Sequence, residues 1–247
     1  MKKLFVLLAV TLSSMQIFAS TYAGYCGPVG DRQSMKWFLD TETGVLTFRG
    51  AGEILSLPAS DNWNEYGEYI STISIPDQIK VLEDYVFSNC KSITTITLPS
   101  NLTTIGKYVF DGCTSLRTIQ ILNTITKIDR YAFQNCSSLT SITIPNKVST
   151  IKYGTFVGCR SLISVDLPTS ITEIEDYAFS ECISLKNIRI PINCSKIGHW
   201  AFQKCSALTG SFFIPLGVRE IGESAFRGCI SITKFYYPFG LSVSEIG

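Results

Sequence analysis

Histidine is almost missing from this chain: His199 is the only one among 247 residues. One imidazole cannot build a histidine metal set, and no Cys-x-x-Cys or His-x-x-x-His spacing occurs, so the repeat cysteines are poor zinc candidates. Charge is scarce too. Charged residues make up 17% of the chain and the formal net charge is +1, which leaves no electrostatic basis for capturing nucleic acid or an anionic membrane. There is no Gly-rich phosphate loop, no pair of carboxylates recurring at one position to face a groove, and no nucleophile elbow or acidic pattern near His199. Enzyme readings therefore fail for want of parts, and neither a catalytic residue nor a cofactor is expected. Cys26 could be reactive or paired, but it has no positioned base.

Long hydrophobic runs are also absent after the first residues. Residues 1–23 open with Lys2 and Lys3, continue through the apolar run Leu4 to Val10 and Leu12, and end in Thr21-Tyr22-Ala23. This layout is that of a secretory signal peptide. Thr11, Ser13, Ser14 and Gln16 interrupt the run, leaving it short of the roughly 20 residues a membrane span needs. Tyr25 stands where a small residue would precede a lipidated cysteine, so lipidation of Cys26 is not expected. After signal removal no transmembrane segment remains. The expected location is secreted or cell surface.

What the chain has in quantity is a repeat. Cys90, Cys113, Cys136, Cys159, Cys182 and Cys205 are spaced by 23 residues, Cys229 follows after 24, and a Phe lies three residues before each. Each unit reads Leu-x-x-Ile-x-Ile-Pro-x-x-Val-x-x-Ile, followed by an aromatic-Ala-Phe segment. The Ile-x-Ile alternation predicts a short strand, closed by a proline such as Pro76, Pro99, Pro145, Pro168 or Pro191. The Val-x-x-Ile piece predicts a second short extended segment, and the aromatic-Ala-Phe piece a 3₁₀ or single α turn. One coil cannot bury both faces alone, but stacked coils bury a continuous column of Leu, Ile, Phe and Cys.

The cysteines follow from that arrangement. Nine in an exported chain would ordinarily indicate disulfides. Here seven share one repeat position, and Cys194 takes a slot that Ile79, Leu102, Ile125, Val148 and Ile171 fill elsewhere. Buried free thiols are expected, with a bridge between neighbouring coils as the alternative.

Residues 24–68 lie outside the repeat. Trp37 to Asp40 and Val45 to Gly50 predict two strands joined by a turn at Thr41 to Gly44, a hairpin capping the first coil, and Ala51 to Tyr66 reads as a connecting loop. Residues 69–247 form the solenoid, seven full coils of about 23 residues and an incomplete eighth. One extra residue at Thr209-Gly210-Ser211 predicts a bulge in the seventh strand. After Pro238, Val243 and Ile246 sit two residues late, so the end is read as a terminal cap or as a chain shorter than its parent, with Phe235, Tyr236, Tyr237 and Phe239 covering the last coil.

The runs Leu139-Thr140-Ser141-Ile142-Thr143-Ile144-Pro145 and Tyr131-Ala132-Phe133-Gln134-Asn135-Cys136, recurring at Leu162 to Pro168 and Tyr177 to Cys182, resemble the BspA-like, or treponemal-class, leucine-rich repeat. Cys26-Gly27, Trp37, Leu39-Asp40, Thr43-Gly44 and Leu46-Thr47 are similar to the cap placed before such repeats. The resemblance implies an extracellular or surface-associated binding protein of adhesin type, engaging a host matrix or cell-surface protein, with no catalytic residues.

Two outward columns are candidate sites. On the sheet face, Ser74, Thr97, Gln120 and Thr143 form a plain hydroxyl and amide ladder, but the same column continues as Asp166, Arg189, Phe213 and Tyr236. Arg and aromatic side chains suit a binding patch, so these four residues are the candidate ligand site, with an Asp166–Arg189 ion pair as the plainer reading. A second column, Tyr85, Tyr108, Tyr131, Tyr177 and Trp200, broken by Gly154 and Ser224, reads as a ring stack, and as a carbohydrate platform in the alternative. The leading function is an exported, adhesin-like binding protein. The alternative is a structural spacer or fragment of a larger surface protein without binding activity of its own.

Overall fold

The computed structural model of the protein describes residues 21–27, 31–50, 53–55, 63–238 and 242–243. Most of the expected export segment, together with Phe239 and Ile246, lies outside them.

The cap begins with β1 (Thr21–Tyr25), β2 (Met35–Asp40) and β3 (Val45–Gly50). Alternation in β2 buries Met35, Trp37 and Leu39 and exposes Lys36. The β2–β3 turn is set by chemistry at both ends. Asp40 Oδ1 accepts the Glu42 N–H at 2.9 Å, and Gly44 adopts a φ of 70°, where a side chain is disfavoured. β3 then pairs in parallel with β4 (Thr72–Ser74), Leu46 opposite Ile73, so the hairpin joins directly onto the first coil. Thr21, Tyr22 and Ala23, the expected end of the export segment, occupy the outer strand of this sheet. Tyr22 rests its ring 4.2 Å from that of Tyr66.

The segment read as a loop from Ala51 to Tyr66 does more than connect. Ile54 is fully buried and bridges in parallel to Leu82. Trp63 starts a 3₁₀ turn, is fully buried, packs 5.1 Å from Phe48 and donates its indole N–H to the Val86 carbonyl at 2.7 Å. A lone Trp among Asp61, Asn62 and Asn64 has no periodicity to reveal that role.

Coils are counted from β4. Each contributes an open-face strand and a second strand: β5 (Val81–Leu82), β6 (Thr95–Ile96), β7 (Thr104–Ile105), β8 (Thr118–Ile119), β9 (Lys127–Ile128), β10 (Ser141–Thr143), β11 (Thr150–Ile151), β12 (Ser164–Asp166), β13 (Glu173–Ile174), β14 (Asn187–Ile188), β15 (Lys196–Ile197), β16 (Gly210–Phe213), β17 (Glu220–Ile221), β18 (Ile232–Tyr236) and β19 (Ser242–Val243). Like strands of successive coils pair in parallel, as Ile142 with Val165 and Ile151 with Ile174. The chain is a parallel β-solenoid of about eight turns.

Phe87, Phe110, Phe133, Phe156, Phe179 and Phe202 are fully buried, with successive rings stacked 5.2 to 6.0 Å apart. Beside them all nine cysteines are buried and free. From Cys113 onward the in-register thiols make one repeated bond: Cys136 Sγ–H donates to the Phe110 carbonyl and Cys159 to the Phe133 carbonyl, both at 3.1 Å. Burial pushes the Cys90 thiol up to about 12, and the same cause raises its neighbours. Cys26 is likewise buried in the cap and pushed up to about 12, which removes it as a reactive candidate.

The aromatic-Ala-Phe segments are successive i to i+3 turns, with Ser88 N–H bonding the Tyr85 carbonyl and Cys90 N–H that of Phe87. Two left-handed residues per coil shape them. Tyr85, Tyr108, Tyr131, Tyr177 and Trp200 have φ between 52° and 64°, and Gly154 takes the same place. Bulky residues avoid this region at a cost of about 1–2 kcal/mol each. They hold it here because the segment hydrogen-bonds directly to the next coil, as Tyr85 N–H to the Lys107 carbonyl and Phe87 N–H to that of Val109.

The seventh coil carries its extra residue as expected. Pairing between β16 and β18 shifts register between Gly210 and Ser211, and Gly210 has a φ of 75°. The reading of the last turn needs correction. Val243 pairs opposite Ile221, so it stands in the position assigned to Ile246, and the final stretch runs short rather than two residues late.

Candidate binding face

Each open-face strand has one inward side chain between two outward ones, because consecutive residues of a strand point to opposite faces. Ile142 and Val165 are buried, while Ser141, Thr143, Ser164 and Asp166 are exposed. The outward columns therefore run the length of the solenoid and onto the cap, since Ser74 is in register with Thr47 and Thr47 with Phe38.

The four candidate residues lie on consecutive coils. Asp166 ends β12 opposite Thr143, Arg189 follows β14, and both are exposed. No ion pair joins Asp166 to Arg189 among the described residues, so the plainer reading is not realised. Phe213 and Tyr236 are opposite one another in register, 65% and 46% exposed, with ring centroids 4.8 Å apart and planes within 7°. An exposed stacked pair is a costly arrangement to leave in water.

Residues of coils four to seven, including Ser141, Thr143, Ser164, Asp166, Asn187 and Arg189, line an open groove of about 450 Å³. Ile142, Val165, Leu208 and Phe212 line it as well, so the lining is both polar and apolar.

Four neighbours escaped sequence reading. Lys186 lines the same groove and is exposed. Ser211 and Lys234 pair in register and continue the column of Ser164 and Asn187, a continuation hidden by the extra residue of coil seven. Ile163, 45% exposed, adds apolar surface to coil five.

The second aromatic column is more continuous than its spacing suggests. Tyr153, one residue before Gly154, fills the gap: it meets Tyr131 edge-on at 5.2 Å and Tyr177 at 5.4 Å. Gly154 is required because a Cβ there would collide with the Tyr131 ring. Tyr85 and Tyr108 stack at 4.7 Å and 6°, Tyr177 and Trp200 at 5.0 Å and 19°. Faces buried against each other leave edges and hydroxyls outward, which argues against the carbohydrate platform.

His199 is structural. Its Nδ1 accepts the Glu223 N–H at 3.0 Å and its own backbone N–H donates to Asp176 Oδ1 at 2.8 Å. Asn101 and Asn193 use their side-chain amides to bond carbonyls of the preceding coil, those of Asp77 and Thr169. Among the described residues, no cluster of three or more His, Cys, Asp or Glu side chains could hold a metal ion, and no helix is long and apolar enough to cross a membrane.

The fold defines the class: a leucine-rich repeat solenoid whose open sheet face is polar for half its length and charged and aromatic for the rest. The model of the BspA type leucine rich repeat region matches residues 65–156 and 126–247 in six copies, and the chain belongs to that family. A leucine-rich repeat protein of T. pallidum is similar in structure, with a TM-score of 0.61, 26% identity, and coverage of 85% of this chain and 90% of that one. A leucine-rich repeat protein from Bacteroides ovatus gives a TM-score of 0.59 at 23% identity over 84% of this chain; the chain spans 64% of that protein. A leucine rich cell surface protein from Faecalibacterium prausnitzii gives 0.50 at 24%, covering 83% of this chain and 75% of that one. No match was found among curated proteins.

Proposed function

We propose that this protein is an exported binding scaffold of the cell surface, adhesin-like, that engages an extracellular or host protein through the open sheet face of its C-terminal coils. The observation that carries the reading is the stacked Phe213–Tyr236 pair, held exposed on a rigid parallel sheet next to Arg189. Interaction hot spots favour aromatic and Arg side chains on pre-organised surfaces, where little entropy is lost on binding. The Lys-Lys start and apolar run of residues 1–23 support export, and the cell-surface description of the Faecalibacterium prausnitzii relative is consistent with the location.

The test is capture by the purified chain of individual extracellular-matrix proteins, with Arg189→Ala/Phe213→Ala/Tyr236→Ala alongside. Specific capture that the triple variant loses supports the reading. Capture retained by the variant moves the site elsewhere, and capture of nothing by either form favours a spacer.

A further inference from the structure

The cations of the C-terminal face lack partners. Lys186, Arg189 and Lys234 are exposed and none forms an ion pair among the described residues. Some cations elsewhere are paired, as Lys152 with Glu175 at 2.9 Å and Lys204 with Glu181 at 2.7 Å, while others, such as Arg117, Arg130 and Lys147, are exposed without an ion pair among the described residues. What sets the C-terminal face apart is that three such cations gather beside the stacked rings. On the outward columns of coils five to eight Asp166 is the single carboxylate. That stretch of face is thus the more positive for its size, in a chain whose formal charge is only +1.

The order of the groups along the solenoid matters. Lys186 and Arg189 belong to coil six, Phe213 to coil seven, Tyr236 and Lys234 to coil eight, so two cations precede the stacked rings along the axis and the third lies beside Tyr236 in the neighbouring column. Neighbouring coils lie about 5 Å apart, which puts coils six and eight roughly 10 Å apart, a span of three or so extended residues.

We propose that the occupant of this face is an acidic segment of a protein partner, laid along the solenoid axis, whose carboxylates meet Lys186 and Arg189 on coil six and Lys234 beside Tyr236 on coil eight, with an apolar or aromatic side chain set against Phe213 and Tyr236. This deepens the function proposed above and rests on it. A polyanionic polysaccharide fits less well. The two rings face each other rather than offering an open face on which a sugar could stack, and the cations are few and interrupted by Asp166. An acidic segment also gains from long-range attraction to an unpaired patch, which speeds encounter.

The experiment uses the full chain and three synthetic peptides, followed by fluorescence anisotropy: Glu-flanked Trp, the same with Gln for Glu, and the same with Ser for Trp. Dextran sulfate is the polysaccharide probe. The Glu-flanked Trp peptide is expected to bind at least about tenfold more tightly than either relative, and to weaken as salt shortens the Debye length from about 10 Å at 0.1 M toward about 3 Å at 1 M. Lys186→Glu/Arg189→Glu/Lys234→Glu, whose sites are all exposed and whose thermal midpoint serves as the folding control, is expected to abolish that binding. Phe213→Ala/Tyr236→Ala is expected to erase the preference for Trp over Ser. Equal binding of the Gln peptide, binding kept by the charge-reversed variant, or dextran sulfate bound with no peptide able to displace it overturns the proposal. If matrix capture is lost in Arg189→Ala/Phe213→Ala/Tyr236→Ala while acidic peptides show no preference, the acidic partner alone is wrong. If no matrix protein is captured at all, the underlying reading falls with it.

Discussion

The buried side and the open face of these coils come from the same repeat, yet they vary in opposite ways. Inside, the Phe and Cys positions recur from coil to coil because each ring stacks on the next and each in-register thiol from Cys113 onward finds the carbonyl of a Phe in the preceding coil. A change there disturbs two neighbours. Outside, the two outward columns of the first four coils hold Thr, Ser and one Gln, and the same columns then carry Asp166, Arg189, Phe213, Lys234 and Tyr236 within four coils. The strand tolerates either set because its backbone pairing does not depend on outward side chains. The difference teaches that the repeat constrains one side for stability and leaves the other free for recognition.

The largest effect that would sharpen this contrast is alkaline. Burial raises the thiols, with Cys90 and Cys229 pushed up to about 12 and Cys194 to about 11. The folded state therefore holds protons that the unfolded chain releases. This stability is complete below the ordinary thiol value of about 8.5 and is lost as pH rises toward the folded values, by about 1.4 kcal/mol per pH unit for each thiol. Several such thiols together match the whole stability of an ordinary domain, about 5–15 kcal/mol. Denaturant midpoints followed by circular dichroism should collapse between about pH 9 and 11, with thiol-reagent reactivity appearing in the same range. A midpoint unchanged across that range would mean the thiols are not sealed.

Next comes Phe156→Ala in the centre of the stack, expected to cost about 3–5 kcal/mol by equilibrium unfolding. Gly210→Ala should cost about 1–2 kcal/mol, because nothing lies within 4 Å of the new methyl and the penalty comes from its φ of 75° alone. Thr143→Ala, on the exposed column, should fall within about 0.5 kcal/mol of the parent. If Thr143→Ala cost as much as Phe156→Ala, the inside and outside of the coil would be interchanged.

Much of this was legible from residues alone. Fixed spacing of Phe and Cys announced the solenoid, and Ile-x-Ile told inward from outward on every open-face strand up to coil six. Past Gly210 the column through Phe213 and Tyr236 was still followed, but its neighbour was not carried beyond the inserted residue, and so Lys234 was missed. Tyr153 was missed for a related reason: it lies one position off the column it completes, and only the space above Gly154 shows that its ring fills the gap. Trp63 and Ile54 were read as loop because a single apolar residue among polar ones carries no period.

By itself the sequence determined the repeat, its inward columns and the family, because periodicity is a property of order along the chain. The tertiary structure decided what depends on neighbours in space. Asp166 and Arg189 form no ion pair with each other while Phe213 and Tyr236 stack, aromatic residues hold left-handed backbone because the next coil bonds to them, and nine cysteines are buried by packing of the coils and the cap. Each of these outcomes is set by distances between coils, which no single coil encodes.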